Sequence, residues 1–131
     1  MGLDLTIYKT DRKGRKKYLN HFSSDGWIIV TYLEQRHKKS LNDQKIVVSE
    51  EEIKDLIGRC KKVLLYYYER IFEEPNKWVE NAHSILPITI NAKTEWYDDE
   101  YIDNLSYLYR DLWKIVEELY DYENIIFEIS Y

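Results

Sequence analysis

The chain has 131 residues, of which 44% are hydrophobic and 33% are charged, with only two prolines and four glycines. This balance is typical of one globular domain spanning residues 1–131, and it excludes long disordered linkers. The longest uncharged apolar run, Trp27–Leu33, is far shorter than the ~20 residues of a membrane-spanning helix. A single cysteine excludes an internal disulfide and suits a reducing cytoplasm. From these two observations we expect a cytoplasmic protein with no membrane association.

Charge is distributed unevenly along the chain. Residues 1–65 contain 14 Lys and Arg against 9 Asp and Glu, whereas residues 66–131 contain 5 against 15. Ten of the thirteen tyrosines also lie in the acidic half. Since the summed field of a protein governs which partners approach it, the asymmetry predicts a dipolar molecule whose acidic side is rich in aromatic residues.

A β-hairpin is predicted at the start of the chain. Leu3, Leu5 and Ile7 alternate with polar residues, which is the period of a half-buried strand. A basic segment containing Gly14 follows and has the composition of a hairpin tip, after which Tyr18–Phe22 returns along the sheet.

Residues 26–42 can be interpreted in two ways. Trp27–Leu33 is rich enough in β-branched and aromatic residues for a strand, but Leu33–Leu41 could continue as a short helix. Periodicity does not distinguish the two.

The next helix has a clear start signal. Ser49 and Glu52 form a capping box, and Val48 and Ile53 occupy the two positions of the hydrophobic staple that flanks it. An apolar face at helical spacing follows, and Pro75 ends it, so the helix is predicted from about residue 50 to about residue 73.

The remaining elements complete the predicted fold. A short strand is predicted at Ser84–Asn91, a second helix from Asp98 or Asp99 onward, and a last strand at Ile125–Tyr131. Together the elements predict an α+β fold, in which an antiparallel or mixed sheet of about four to five strands packs against two long amphipathic helices.

An acidic segment rich in Tyr and Trp is the candidate partner-binding site. It consists of Glu95, Trp96, Tyr97, Asp98, Asp99, Glu100, Tyr101 and Asp103. Tyr and Trp are enriched at binding hot spots, and the interspersed carboxylates would complement an Arg-rich partner. The alternative is structural, because the acids could stabilise a helix N-terminus while Tyr97 and Tyr101 pack on the sheet.

The predicted hairpin tip is a possible anion-binding site. Its residues are Arg12, Lys13, Arg15, Lys16 and Lys17. Basic side chains of this kind contact phosphates, but they also keep edge strands soluble. Because the rest of the chain is acidic and would repel a polyanion, direct nucleic-acid binding is not expected.

The sequence contains no recognisable catalytic constellation. His21, His37 and His83 are far apart, and Cys60 falls on the apolar face of its helix, where an inert buried thiol is expected. The carboxylates of residues 98–103 lack the spacing and the turn glycine of a calcium loop. We therefore expect no catalytic residue, no metal and no cofactor.

Three segments together resemble a diffuse family of small phage and prophage proteins of unassigned role. They are Met1–Lys9, then Val47–Ser49 leading into Cys60–Leu64, and Leu86-Pro87 followed by Thr94–Asp98 and Tyr101. The chain departs from that family at Trp27–Val30, at His37 and at Ile88–Asn91. The resemblance implies a phage or mobile-element origin and no particular activity.

These observations favour a non-enzymatic phage accessory protein that binds a host protein through its acidic aromatic face, in the manner of an anti-CRISPR protein. The partner could be an effector that itself binds nucleic acid, because an acidic surface can occupy a groove evolved for a polyanion. Two alternatives stay open: a small-molecule or nucleotide-binding protein, and a metal-dependent phosphodiesterase. The oligomeric state does not follow from the sequence.

Overall fold

The computed structural model describes residues 2–70, 82, 84–86 and 99–131. Within them, four strands form one sheet in the order β2-β1-β4-β3, and all the paired strands are antiparallel. The strands are β1 (Asp4–Thr10), β2 (Lys16–Phe22), β3 (Gln44–Val47) and β4 (Asn124–Ser130). The helices are α1 (Trp27–His37), α2 (Glu50–Arg70) and α3 (Asp99–Glu117). The predicted α+β class is confirmed.

One face of the sheet forms the floor of the core. Leu5 and Ile7 of β1, and Phe127 and Ile129 of β4, are at most 1% exposed. They join a single apolar cluster to which every helix contributes, including Ile29, Val30, Leu33, Ile53, Leu56, Ile57, Cys60, Leu105, Leu108 and Leu112. Because successive strand residues point to opposite faces, the helices cover this face, and the intervening residues form the other one.

The predicted hairpin is confirmed, and its tip is organised by one carboxylate. Asp11 Oδ1 accepts hydrogen bonds from the backbone N–H groups of Lys13 and Arg15, both at 2.9 Å, and Asp11 Oδ2 lies 2.6 Å from Arg15 Nε. Gly14 adopts a φ of 75°, a conformation that costs glycine little. The turn therefore places the remaining basic side chains in solvent.

Residues 27–37 are helical, which resolves the ambiguity left by the sequence. Five consecutive residues of α1, from Ile29 to Leu33, are buried. A helix that is buried on most sides has apolar residues all round it and no polar face. Its sequence therefore shows neither the period of a half-buried strand nor that of an amphipathic helix. Gly26 permits the close approach, since a Cβ there would lie 2.8 Å from Phe22 Cβ.

The start of α2 confirms the predicted capping box. Glu52 N donates to Ser49 Oγ at 3.1 Å, and Ser49 N donates to Glu52 Oε1 at 3.2 Å. Val48 and Ile53, the predicted staple, are each 2% exposed. The helix is described to Arg70, so its predicted end near residue 73 lies outside the described residues.

The structure differs from the sequence predictions at two places: one strand was not predicted, and one predicted strand is wrong where it is described. Strand β3 was not predicted, because its four residues Gln44–Val47 are too few to show a period and become a strand only by pairing with β4. The strand predicted at Ser84–Asn91 is wrong where it is described: Ser84 and Ile85 are helical, and Leu86 N donates to Ala82 O at 2.7 Å. Residues 87–91 lie outside the described residues.

Candidate functional site

The predicted partner-binding segment is only partly described. Residues 95–98 lie outside the described residues, and Asp99 and Glu100 are the first two residues of α3, as predicted for the helix start. Tyr101 is 7% exposed and belongs to the core, so its ring does not lie on the surface as a partner-binding ring would. Asp103 is exposed.

The exposed aromatic residues of α3 lie further along the helix. Tyr107 is 56% exposed and lies on the side opposite the buried Leu105, Leu108 and Leu112. Trp113 is 42% exposed and lies at the edge of the apolar stripe, on the same side of the helix as the buried Ile102. The surface that contains them, here called the α3 surface, consists of Asp103, Tyr107, Arg110, Trp113, Lys114 and Glu117. At helical spacing, Asp103, Tyr107, Arg110 and Lys114 fall in one stripe, with Trp113 beside it. Neither Tyr107 nor Trp113 was among the binding residues predicted from the sequence.

A cation is positioned over one of the exposed rings. The guanidinium carbon of Arg110 lies 5.1 Å from the centroid of the Tyr107 ring, and Arg110 Nε is 3.8 Å from Asp111 Oδ1. Such contacts hold a long side chain against the helix, and they lower the entropy that the surface would lose on binding. The α3 surface thus presents partly ordered aromatic side chains.

The basic residues of the hairpin differ in their surroundings according to the face they occupy. Lys9, on the helix-covered face, is 6% exposed, and its Nζ donates to the carbonyl oxygens of Glu118 at 2.7 Å and Tyr120 at 2.8 Å. Lys17, its partner in the strand register, has its Nζ 3.4 Å from Glu118 Oε2. Arg12, Lys13 and Lys16 are exposed, and within the described residues none forms an ion pair.

The basic and acidic halves of the sequence do not form separate halves of the structure. Thr10 at the end of β1 pairs with Asn124 at the start of β4, so the basic hairpin lies beside the acidic connection that follows α3. The backbone N–H of Glu123 donates to Thr10 O at 2.7 Å. Lys17 and Glu118, which are 101 positions apart in the sequence, thus neutralise part of each other's field at this end of the sheet.

A polar cluster between α1 and α2 was not anticipated from the sequence. The Tyr32 hydroxyl donates to Asp55 Oδ2 at 2.6 Å, and Arg59 Nε lies 3.0 Å from the same oxygen. Glu52 Oε2 lies 2.9 Å from His37 Nε2 and 3.3 Å from Arg36 Nε. Each carboxylate therefore has cationic partners, and the cluster cross-links the two helices.

The same contacts shift the pKa values of the cluster. The hydrogen bond from Tyr32 is the main reason that the pKa of Asp55 lies below its usual value, with Arg59 adding to it. Burial, together with the hydrogen bond to Asp55, raises the pKa of Tyr32 to about 12. Burial alone would raise the pKa of Glu52, but hydrogen bonds from Ser49 and His37 outweigh it and lower that pKa. The carboxylates are thus kept ionised and the phenol is kept neutral, which is a structural arrangement and not one poised for proton transfer near pH 7.

The other candidate groups take ordinary structural positions. Burial raises the pKa of the Cys60 thiol to about 12, so the thiolate that would act as a nucleophile is disfavoured, as the sequence analysis expected. His21 Nε2 lies 3.2 Å from Asp4 Oδ1 on the sheet surface, and His83 lies outside the described residues. Among the residues that the structure describes, no group of three His, Cys, Asp or Glu side chains could hold a metal ion.

Of the two exposed aromatic residues of α3, the sequence pattern indicates the exposure of Tyr107 alone. Once the stripe Ile102, Leu105, Leu112 is assigned to the core, Tyr107 falls on the opposite side of a helix wheel. The α1–α2 cluster carried no such signal, because it depends on how two separate helices meet.

In the described part of the chain, no helix is long and apolar enough to cross a membrane. Comparison with protein-family models, with curated protein sequences and with solved structures finds no match for this chain.

Proposed function

We propose that the protein is a non-enzymatic accessory protein of a phage or prophage, and that it binds a host protein through the α3 surface. The proposed consequence of binding is inhibition of a host defence system, of the kind that anti-CRISPR proteins carry out. The phage origin in this proposal rests on the resemblance of the three sequence segments alone.

The observation that carries the proposal is the exposure of two large aromatic side chains on one helix. Tyr107 and Trp113 leave about half of their surface in solvent, at 56% and 42% exposure. Tyr, Trp and Arg are the residue types most enriched among binding hot spots, and Arg110 lies beside Tyr107. Neither ring belongs to the apolar cluster to which Leu105, Leu108 and Leu112 contribute, so the core does not account for their presence.

Charge supports a particular kind of partner. Residues 99–131 contain nine Asp and Glu against two Lys and Arg. Both of these bases, Arg110 and Lys114, lie on the α3 surface and balance Asp103 and Glu117 there, so the acidic excess lies around that surface and not on it. The field of the surrounding acids accelerates association with a basic partner and disfavours direct contact with a polyanion. We therefore propose a partner with a basic surface, such as an effector that itself binds nucleic acid.

Affinity capture tests this proposal. The tagged protein and a Tyr107→Ser/Trp113→Ser double variant are incubated with a lysate of the bacterial host, and the retained proteins are identified by mass spectrometry. We expect at least one protein that the parent chain retains at low salt and that the double variant loses. Because the partner surface is proposed to be basic, retention should weaken as the salt concentration rises.

Tyr68 provides a matched control. It is 64% exposed on α2, so Tyr68→Ser removes a similar exposed ring without touching the α3 surface. The control variant should retain the same partner as the parent chain. Capture of no protein at low salt, or equal capture by all three chains, would contradict the proposal.

A further inference from the structure

The face of the sheet opposite the helices carries an apolar row that crosses all four strands. In the strand register, Tyr8 lies between Tyr18 of β2 and Ile126 of β4, and Ile126 pairs with Val47 of β3. Tyr18 is 63% exposed and Val47 is 57% exposed, whereas Tyr8, which lies inside the row, is 7% exposed. No described helix packs on this face, so a large aromatic ring is presented to solvent on a rigid strand.

The strand alternation also determines which lysines are free. Lys9 and Lys17 point to the helix-covered face, where the end of α3 provides their partners. Lys16 points to the open face, and its Nζ lies 4.8 Å from the centroid of the Tyr8 ring. Lys16 precedes Tyr18 by two residues on the same face, about 7 Å away along the strand. An ammonium group that forms no ion pair among the described residues is therefore adjacent to an exposed ring.

The hairpin end of this face carries no acid among the described strand residues. The row beyond the apolar one contains Lys16, Thr10 and Asn124, and the loop adds the exposed Arg12 and Lys13. Asp11 faces the loop itself, where Arg15 and two backbone N–H groups occupy it.

The acids of the open face lie at the other end of the strands. Glu128 is 4.0 Å from Lys45 Nζ, and Asp4 is 3.2 Å from His21. The described strand and tip residues at the hairpin end of the open face thus carry positive charge, although the exposed Glu123 adjoins Thr10 at this end and the molecule as a whole is acidic.

We propose that this surface binds single-stranded nucleic acid. An unpaired base would stack on Tyr18, and the phosphates on either side of it would contact Lys16, Arg12 and Lys13. Base stacking on an exposed aromatic ring beside a basic track is the chemistry by which sequence-tolerant single-strand binding occurs. A duplex does not fit this surface equally well, because its bases are already stacked and cannot reach the ring. The site lies on a different face from the α3 surface and is independent of the function proposed above.

Fluorescence anisotropy with a labelled oligothymidylate of about 15 nucleotides tests the proposal at about 50 mM salt. With three phosphate contacts, the logarithm of the association constant should fall with the logarithm of the salt concentration at a slope of about −2. Tyr18→Ala should weaken binding about fivefold or more and leave that slope unchanged, whereas Tyr18→Phe, which keeps the ring, should bind like the parent chain. Lys16→Gln should reduce the slope by about 0.7.

Matched controls separate this site from general charge effects. Tyr68→Ala and Lys62→Gln alter exposed residues of α2 and should not change the affinity. The same oligonucleotide annealed to its complement should bind more weakly than the single strand. The proposal is overturned if the single strand does not bind at low salt, if the duplex binds equally well, or if Tyr18→Ala and Tyr68→Ala have equal effects.

Discussion

Lys9 provides a sharp test of how the hairpin is attached to α3. Its side chain is 6% exposed, and its ammonium group donates to two backbone carbonyl oxygens just after the end of the helix, at 2.7 and 2.8 Å. The same nitrogen lies 4.0 Å from the centroid of the Tyr120 ring. A cation at the C-terminal end of a helix also meets the negative end of its dipole.

The expected cost of removing this group can be estimated from its contacts. A hydrogen bond that involves a charged group contributes about 1.5–3 kcal/mol, and a cation–π contact about 0.5–1 kcal/mol when it is partly solvated. Two effects reduce this sum. The variant no longer bears the cost of burying an ammonium group, and Glu118 O still accepts a hydrogen bond from the N–H of Tyr120 at 3.0 Å. We expect Lys9→Met, which preserves the aliphatic stem, to lower the free energy of unfolding by about 2–4 kcal/mol.

Urea denaturation followed by circular dichroism measures the effect. Lys45→Met is the matched control, because that lysine is 60% exposed and lies 4.0 Å from Glu128, a geometry in which an ion pair contributes little. A change of less than about 0.5 kcal/mol for Lys9→Met would refute the reasoning, since it would mean that the buried ammonium group contributes no more than a surface one.

Three further predictions concern the core and the helix starts. Gly26→Ala should lower the free energy of unfolding by about 1–3 kcal/mol in urea denaturation, because the new Cβ would lie 2.8 Å from Phe22 Cβ, whereas Gly58→Ala, with nothing within 4 Å, should be neutral or stabilising. Since the pKa of Glu52 is lowered by folding, its contribution to stability is complete above its unfolded pKa of about 4.3 and disappears as the pH falls through the lower folded pKa. The Glu52→Gln variant should therefore have a smaller free energy of unfolding than the parent chain near pH 7, and this free energy should fall less steeply than that of the parent chain below about pH 5. Parallel pH profiles of the two proteins would contradict this expectation. The Cys60 thiol, whose pKa burial raises to about 12, should react with a thiol reagent only as fast as the protein unfolds, and rapid labelling of the native protein would show that the core is open.

The elements that the sequence predicted well are those whose signals are local. The alternation of Leu3, Leu5 and Ile7 arises from a strand with one buried face, and the capping box of Ser49 and Glu52 uses hydrogen bonds between residues three apart. Neither depends on the rest of the chain. For the same reason the start of α3 at Asp99 was predicted correctly.

The features that the sequence missed or left open depend on distant neighbours. Gln44–Val47 is a strand because β4 pairs with it, and Trp27–His37 is a helix whose five buried residues conceal its period. Tyr101 was grouped with the candidate binding residues because its neighbours in the sequence are acidic. In the structure its side chain is buried in the core. In each case the environment of the side chain is set by residues far away in the chain.

The sequence by itself determined the class of fold, the hairpin and the two long helices, because strand and helix periods and caps are properties of neighbouring residues. Only the tertiary structure decided which charges remain free. Lys9 and Lys17 become partners of the α3 end, whereas Lys16 stays in solvent beside Tyr18, and the difference is the face of the sheet to which each side chain points. Composition had predicted an acidic molecule unsuited to a polyanion, but the structure places the carboxylate of Glu118 beside Lys17 on the helix-covered side of the sheet. The open face of the sheet keeps its positive charge because a strand places alternate residues on opposite sides.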